Sequence, residues 1–284
     1  MKRSIMLVFA VLAVTLCLGI LAACNNSGSI SSDTTNNNEN NSGKSENDNS
    51  NKSAYEMYQK SVMAQSNEGR NYKSIELGYD MKIVDTKAGG TQELATIAGT
   101  TKKVFKDTAI ENDYDMEMTL KVTVPDTNVP IETKSYYTNG CTYSIANGMK
   151  VSVPLGPENA ARTSRTNPLI FDESMIKESK VDQKGDLTVL SFKIDSKLFE
   201  NEGVLSPDSK DFLEHQPGDQ TFSDIDFMIT VDKDNRMQES KMVYSVTSGE
   251  KTTSFETIVK ALSYDKITGI DFPSDLDSYM SVPG

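Results

Sequence analysis

The stretch Tyr114-Asp115-Met116-Glu117-Met118-Thr119-Leu120-Lys121-Val122-Thr123-Val124 alternates apolar and polar side chains without a break. In an extended chain, successive side chains point to opposite sides, so this stretch predicts a strand with one apolar and one wet face. Working outward, the same period runs through Ile75, Leu77, Tyr79, Met81 and Ile83. Gly89-Gly90 supplies a turn, and a second strand is expected over 93–105. Two Asn-Gly pairs, Asn139-Gly140 and Asn147-Gly148, mark tight hairpins around 142–146. A strand is expected over 187–194. Beyond Thr221 the alternation resumes with Ile225, Phe227, Ile229 and Val231. It continues through Met242, Tyr244 and Val246, then Phe255, Thr257, Val259 and Ala261, and Asp271-Phe272-Pro273 reads as an extended exit. One-sided patterning of this kind belongs to antiparallel sheet.

Three stretches read as helical. Ser53-Ala54-Tyr55-Glu56 fits a capping box, followed by Tyr55, Tyr58 and Val62 at helical spacing until Asn67-Glu68-Gly69. In the middle of the chain, Asn167-Pro168 and Ser206-Pro207 each place a capping residue before a proline. Leu169, Ile170, Met175 and Ile176 follow the first; Phe212 and Leu213 follow the second. No repeat of solenoid or propeller length is evident. The order is helix, strands, helical middle, strands. It predicts an α+β fold: a large curved antiparallel β-sheet, a half-barrel, with helices packed on its concave face. This domain is expected over 53–284.

The chain ahead of it carries an address. Lys2 and Arg3 precede an apolar run over 5–23 that ends in Leu21-Ala22-Ala23-Cys24. Positive charge, apolar core and small residues before a cut are the layout of a secretory signal peptide, here 1–23. The tetrapeptide resembles the bacterial lipobox. The resemblance implies cleavage between Ala23 and Cys24, and acylation of the Cys24 thiol by a diacylglyceryl group and palmitate-type chains. Two or more chains anchor a protein stably to a membrane surface. The expected location is therefore the outer face of the cell membrane, after export. Over 25–52 the sequence has 10 Asn and 7 Ser in 28 residues, with Ile30 the one sizeable apolar side chain. Such a stretch has little apolar surface to offset the entropy of ordering, so 24–52 reads as the lipidated Cys and a disordered tether.

Composition narrows the chemistry. The 284 residues carry 29 Lys+Arg against 41 Asp+Glu, a net charge of -12. Lys2 and Arg3 are the charges before Cys24, so the chain from there on carries −14. That balance argues against nucleic-acid phosphates and anionic lipid headgroups as non-specific partners. A single His excludes multi-His metal sites. Of the three Cys, Cys17 lies in the leader and Cys24 takes lipid, which leaves Cys141 with no disulfide partner and only His215 as a base. It reads as a small buried or half-buried hydrophobe.

Asp232-Lys233-Asp234-Asn235-Arg236 starts like a calcium loop but has Arg236 and Met237 where a ligand and a Gly are required, so a hairpin turn is expected. Ser174-Met175-Ile176-Lys177, 248–251 and 263–266 each match S-x-x-K without the companion motifs of penicillin-recognising enzymes. Asp224 and Asp226 flank Ile225, which puts them on the wet side of a strand. No catalytic residue, metal site or cofactor is expected. Met81, Met116, Met118, Met228 and Met242 fall in predicted strands, where thioethers suit a core or a greasy ligand.

Lipobox, polar tether, N-terminal helix, meandering sheet and helical insert together resemble the bacterial LolA/LolB-like lipoprotein-carrier superfamily. The likeness is strongest to Gram-positive lipoproteins and to the LppX/LprG type. Its specific echoes are Asn167-Pro168-Leu169, and a strand that ends in Val231-Asp232-Lys233-Asp234. The resemblance implies a half-barrel closed by helices that holds acyl chains. The membrane, through the anchor, and a hydrophobic or lipid-like ligand are then the expected partners. The alternative is a surface-anchored interaction or sensory protein with a filled core and an acidic binding surface.

Overall fold

The computed structural model describes residues 46–66, 69–106, 113–125, 130–146, 148–154, 169, 171–200 and 220–282. Thirteen strands form one sheet, in the order β13-β6-β5-β4-β3-β2-β1-β12-β11-β10-β8-β7, with β9 paired to β11 off that path. The first meander comprises β1 (Ser74–Lys87), β2 (Gly90–Phe105), β3 (Tyr114–Thr123), β4 (Ile131–Thr138), β5 (Cys141–Ala146) and β6 (Met149–Pro154). The second comprises β7 (Ile176–Lys184), β8 (Leu187–Ile194), β9 (Gln220–Phe222), β10 (Ile225–Val231), β11 (Met237–Ser248) and β12 (Lys251–Tyr264). Antiparallel pairing of β1 with β12 joins the two meanders. β13 (Met280–Ser281) pairs with β6 in the one parallel contact among the described residues. The sheet is curved and does not close on itself.

The alternation in β3 is realised residue by residue. Tyr114, Met116, Met118, Leu120 and Val122 are buried, while the residues between them are partly or wholly exposed. β10 does the same with Ile225, Phe227, Ile229 and Val231. Asn139 and Gly140 both take positive φ, 50° and 73°, as the two-residue hairpin between β4 and β5 requires.

Gly99 lies opposite Tyr79 on one side and Leu120 on the other. A Cβ there would collide with the Thr119 carbonyl oxygen and come within 2.7 Å of Leu120 Cδ2. The side chain of Leu120 can swing away, but the carbonyl belongs to the ladder. Gly99→Ala is therefore expected to lower stability by about 1–3 kcal/mol, read from the urea midpoint.

The wet face carries cross-strand ion pairs: Lys82–Glu93 at 3.1 Å, Lys134–Glu117 at 3.0 Å and Lys241–Glu256 at 2.8 Å. Each is at least partly exposed and contributes little stability by itself. The C-terminal segment crosses this face, with Phe272 against Tyr136, Tyr279 against Tyr143, and Asp275 paired to Lys150.

One α-helix is present among the described residues, α1 (Glu46–Met63), so the fold is mostly β rather than α+β. It begins at Glu46, not at Ser53. The capping box does not form, Ser53 is exposed within the helix, and the first turns fall in the stretch read as tether. Its buried stripe is Ala54, Tyr58 and Ser61, with Tyr55, Met57 and Val62 beside it.

The first part of the helical middle is also corrected. After Leu169 and Phe171 the chain makes a short 3-10 turn, Glu173–Met175, and Ile176 opens strand β7. Ile176 takes this role because it pairs with Ile194 and buries beside it, which a helix would not allow. Asn167-Pro168, Ile170, Ser206-Pro207, Phe212 and Leu213 lie outside the described residues.

Candidate ligand-binding face

Register places one set of side chains on a single apolar face. Counting along β1, it holds Ile75, Leu77, Tyr79, Met81, Ile83 and Asp85; along β2, Ala95, Ile97, Gly99, Thr101 and Lys103. Across β3 it continues through Met116, Met118, Leu120 and Val122. Across β12, β11, β10 and β8 it reaches Phe255, Met242, Phe227 and Phe192.

The face has three regions. Under α1 it is filled by rings: Tyr58 stacks on Phe171 at 4.7 Å and meets Phe192 and Phe227 edge-on at 5.7 and 5.8 Å. The hydroxyls of Tyr58 and Tyr55 donate to the carbonyls of Leu169 and Phe171, tying the helix to that segment. A second region is aliphatic and thioether-rich: Met81, Ile83, Ala95, Ile97, Met118, Leu120 and Val122. The third is aromatic and charged. Here Tyr114 stacks on Tyr137 at 4.5 Å, and Tyr72 meets Phe105 and Tyr264 edge-on.

Both ends of the aliphatic strip carry a buried charge. Asp85, 5% exposed, accepts from Thr253 Oγ1 at 2.7 Å and pairs with Lys251 Nζ at 2.9 Å. Lys103, 2% exposed, lies at the other end between Ile75 and Met116 in register. Burial and the nearby Arg70 charge push its ammonium down to about 7. From Ile75 to Asp85 the strand spans roughly 33 Å, about twice the depth of one lipid leaflet. Thr101 and Thr257, both on this face, have buried hydroxyls without a hydrogen-bond partner among the described residues.

The chemistry weighed from sequence resolves into structure. Asp232 Oδ1 accepts from the backbone N–H groups of Asp234 and Arg236, each at 2.9 Å, and Oδ2 from Arg236 Nε at 2.9 Å and Gln238 Nε2 at 3.0 Å. With Asn235 at φ 59°, that segment is a hairpin turn rather than a cation loop. Lys177 Nζ is held by Asp224 at 2.6 Å and Asp195 at 3.4 Å, which accounts for the S-x-x-K lysine. Asp224 is committed to that pair, and Asp226 is exposed on the wet face. Cys141 is half-buried, with Sγ 3.5 Å from the Val153 carbonyl oxygen. His215, like Ala23 and Cys24, lies outside the described residues.

Among the described residues, no group of three or more His, Cys, Asp or Glu converges on a metal position. No helix among them is long and apolar enough to cross a membrane. A shallow depression of about 360 Å³ lies largely on the wet side of β7, β8, β10 and β11. Its Lys180, Lys193 and Lys241 are interspersed with Glu178 and Asp226, the mixed charge of an ordinary solvated face.

The five methionines read from sequence do fall in strands. Met81, Met116, Met118 and Met242 share the apolar face, whereas Met228 lies on the other. Sequence reasoning missed Lys103 and Arg70. The available signal was parity along β2: from Ile97, every second residue leads to Lys103.

No protein-family model matches the chain, and no curated protein sequence matches it. Among solved structures, a DUF1329 family protein from Desulfovibrio piger is similar over 79% of this chain and 95% of its own, at 9% identity and TM-score 0.26. LprF from Mycobacterium bovis is similar over 78% of this chain and 97% of its own, at 11% identity and TM-score 0.42. Both likenesses are loose, and the function rests on this chain's own residues.

Proposed function

We propose that this chain is a cell-envelope lipoprotein, without enzymatic activity, that binds a hydrophobic or amphiphilic ligand along the apolar face of its sheet. The observation that carries this reading is the strip of Met81, Ile83, Ile97, Met118, Leu120 and Val122, which continues the apolar face beyond the aromatic cluster under α1. Methionines there adapt to the shape of a flexible chain at little cost. The helix and the described 3-10 segment close the aromatic region, so the ligand lies between the sheet and the elements that cover it.

The test is solvent extraction of the full chain purified from membranes under mild conditions, with the extract analysed by mass. A lipid species is expected at near-stoichiometric yield. Met118→Phe, which adds volume to the strip, should lower that yield several-fold while the helix and sheet remain intact by circular dichroism. Absence of any extractable lipid would favour the alternative of a filled core acting through an acidic surface. That protein would show a partner association that weakens with salt.

Anchoring is the second half of the proposal. Signal cleavage after Ala23 leaves Cys24 as the acylated first residue, which holds the domain at the outer face of the cell membrane. Cys24→Ala is expected to abolish fatty-acid labelling completely and leave an unprocessed precursor. The check is metabolic labelling followed by mass analysis of the N-terminus. A wild-type N-terminus other than Cys24, or one without acyl mass, contradicts it.

A further inference from the structure

Followed toward the β13 edge of the sheet, the apolar face does not stop at β3. Met118 lies opposite Ser135, Ser135 opposite Ser144, Ser144 opposite Val151, and Val151 opposite Met280. Residues paired across strands point to the same side, and every second residue along a strand shares it. Met149, Val151 and Val153 of β6 therefore stand on the face of Met118, together with Met280 and Val282. The strip is buried in β1 to β3, but here it opens to solvent. Met149 is 67% exposed, Met280 63% and Val282 37%.

The two edges of the sheet differ. At the β7 edge, Lys177, Glu178, Lys180 and Asp182 line the strand, the charged guard that an edge ordinarily carries. On this face of β5, β6 and β13 no ionisable side chain stands among Thr142, Ser144, Ala146 and the apolar group. Lys150 and Asp275 pair on the opposite side, where Tyr279 turns against Tyr143. A stable dimer needs about 800 Å² from each partner, more than three exposed side chains offer. A bilayer demands no matching shape, and an anchored chain meets it at high effective concentration. The chain from there on carries −14, so apolar contact rather than headgroup attraction has to hold this corner.

We infer that Met149, Met280 and Val282 form a membrane-docking edge, which enters the hydrocarbon of the outer leaflet and joins it to the ligand strip. The inference rests on the proposed function and adds the surface with which the ligand face exchanges its acyl chain. The lengths allow it. Residues 24–45 separate Cys24 from α1, and a chain that long reaches about 75 Å when extended. Asn51 of α1 donates to the Ile176 carbonyl, so the helix sits at the β7 end. From β7 to β13 the sheet path covers roughly 50 Å, at about 4.8 Å per strand. A chain anchored at Cys24 can thus lay the far edge on the same bilayer.

The experiment places the full-length lipidated chain in phosphatidylcholine nanodiscs that contain a phospholipid with a diazirine near the end of its acyl chain. After irradiation, adducts are mapped by peptide mass. Peptides holding 149–154 and 280–282 are expected to carry at least fivefold more adduct than those of β7. Met149→Gln with Met280→Gln should lower corner labelling at least fivefold, with acylation of Cys24 and the circular dichroism unchanged. Leucine at both positions should keep labelling within twofold of wild type, and so should a rise from tens to hundreds of millimolar sodium chloride.

Adducts confined to β1, β2 and β3, with none at the corner, would overturn the docking edge and leave the ligand face standing. Corner adducts without extractable lipid would support the docking edge and overturn the proposed ligand. Labelling lost at high salt would overturn apolar docking in favour of headgroup contact. A dimer in mild detergent that the glutamine pair dissociates would assign the corner to a second copy instead.

Discussion

Tyr58→Ala is expected to destabilise the domain by roughly 3–5 kcal/mol, the range for removing a fully buried aromatic side chain. Tyr58 has no exposed surface. Its ring stacks on Phe171 at 4.7 Å and meets Phe192 and Phe227 edge-on, so the variant opens a cavity bounded by three other rings. The hydroxyl is lost too, and with it the donor to the Leu169 carbonyl. Tyr58→Phe separates the two effects. It should cost about 1–2 kcal/mol, the value of one buried hydrogen bond. Urea unfolding followed by tyrosine fluorescence measures both. Equal losses for the two variants would show that packing under α1 does not hold the helix to the sheet.

Lys103→Met moves stability the other way. A buried ammonium replaced by an apolar side chain of similar length should raise stability by roughly 2–4 kcal/mol at pH 6. The sign of the pH dependence follows from the depressed ammonium. In the folded chain Lys103 titrates at about 7, whereas an unfolded lysine titrates near 10.4. Below pH 7 it is charged in both states, and the full cost of burying the charge is present. Between pH 7 and about 10 the folded state binds fewer protons than the unfolded one, so wild-type stability from this group rises with pH. The advantage of the methionine variant should therefore be largest at pH 6 and nearly gone at pH 10. A variant less stable than wild type at pH 6 would contradict the burial of a costly charge at this end of the face.

Much of the sheet was legible because its residues obey a single rule. In β3 and β10 every second side chain is apolar, and Asn139-Gly140 can hardly be anything but a hairpin. Strand β8 could be placed from its own apolar run. β7 could not. Lys177, Glu178, Lys180, Asp182 and Gln183 give it polar side chains at most positions, because it is an edge strand with little to bury beyond Ile176 and Val181. The start of α1 was hidden for a related reason. Glu46, Asn47 and Asp48 carry no apolar stripe, so only the later turns, with Ala54 and Tyr58, announce a helix.

The candidate site divides in the same way. Its methionine and aliphatic strip could be read from alternation, since burial and composition agree there. Lys103 could not, because Lys102-Lys103 looks like a solvated pair until register shows that the two side chains face opposite sides. Arg70 lies in no strand at all and reaches the site only because the chain entering β1 passes over Phe105.

The central claim is that the apolar face holds an acyl ligand in addition to any chain covalently attached at the N-terminus. Native mass spectrometry of the full-length protein, released from membranes in mild detergent, tests it most directly. The expected spectrum shows the lipidated chain and a second population heavier by one lipid, which dissociates when collision energy is raised. A single population at the covalent mass, unchanged across preparations and after incubation with palmitate, would contradict the claim.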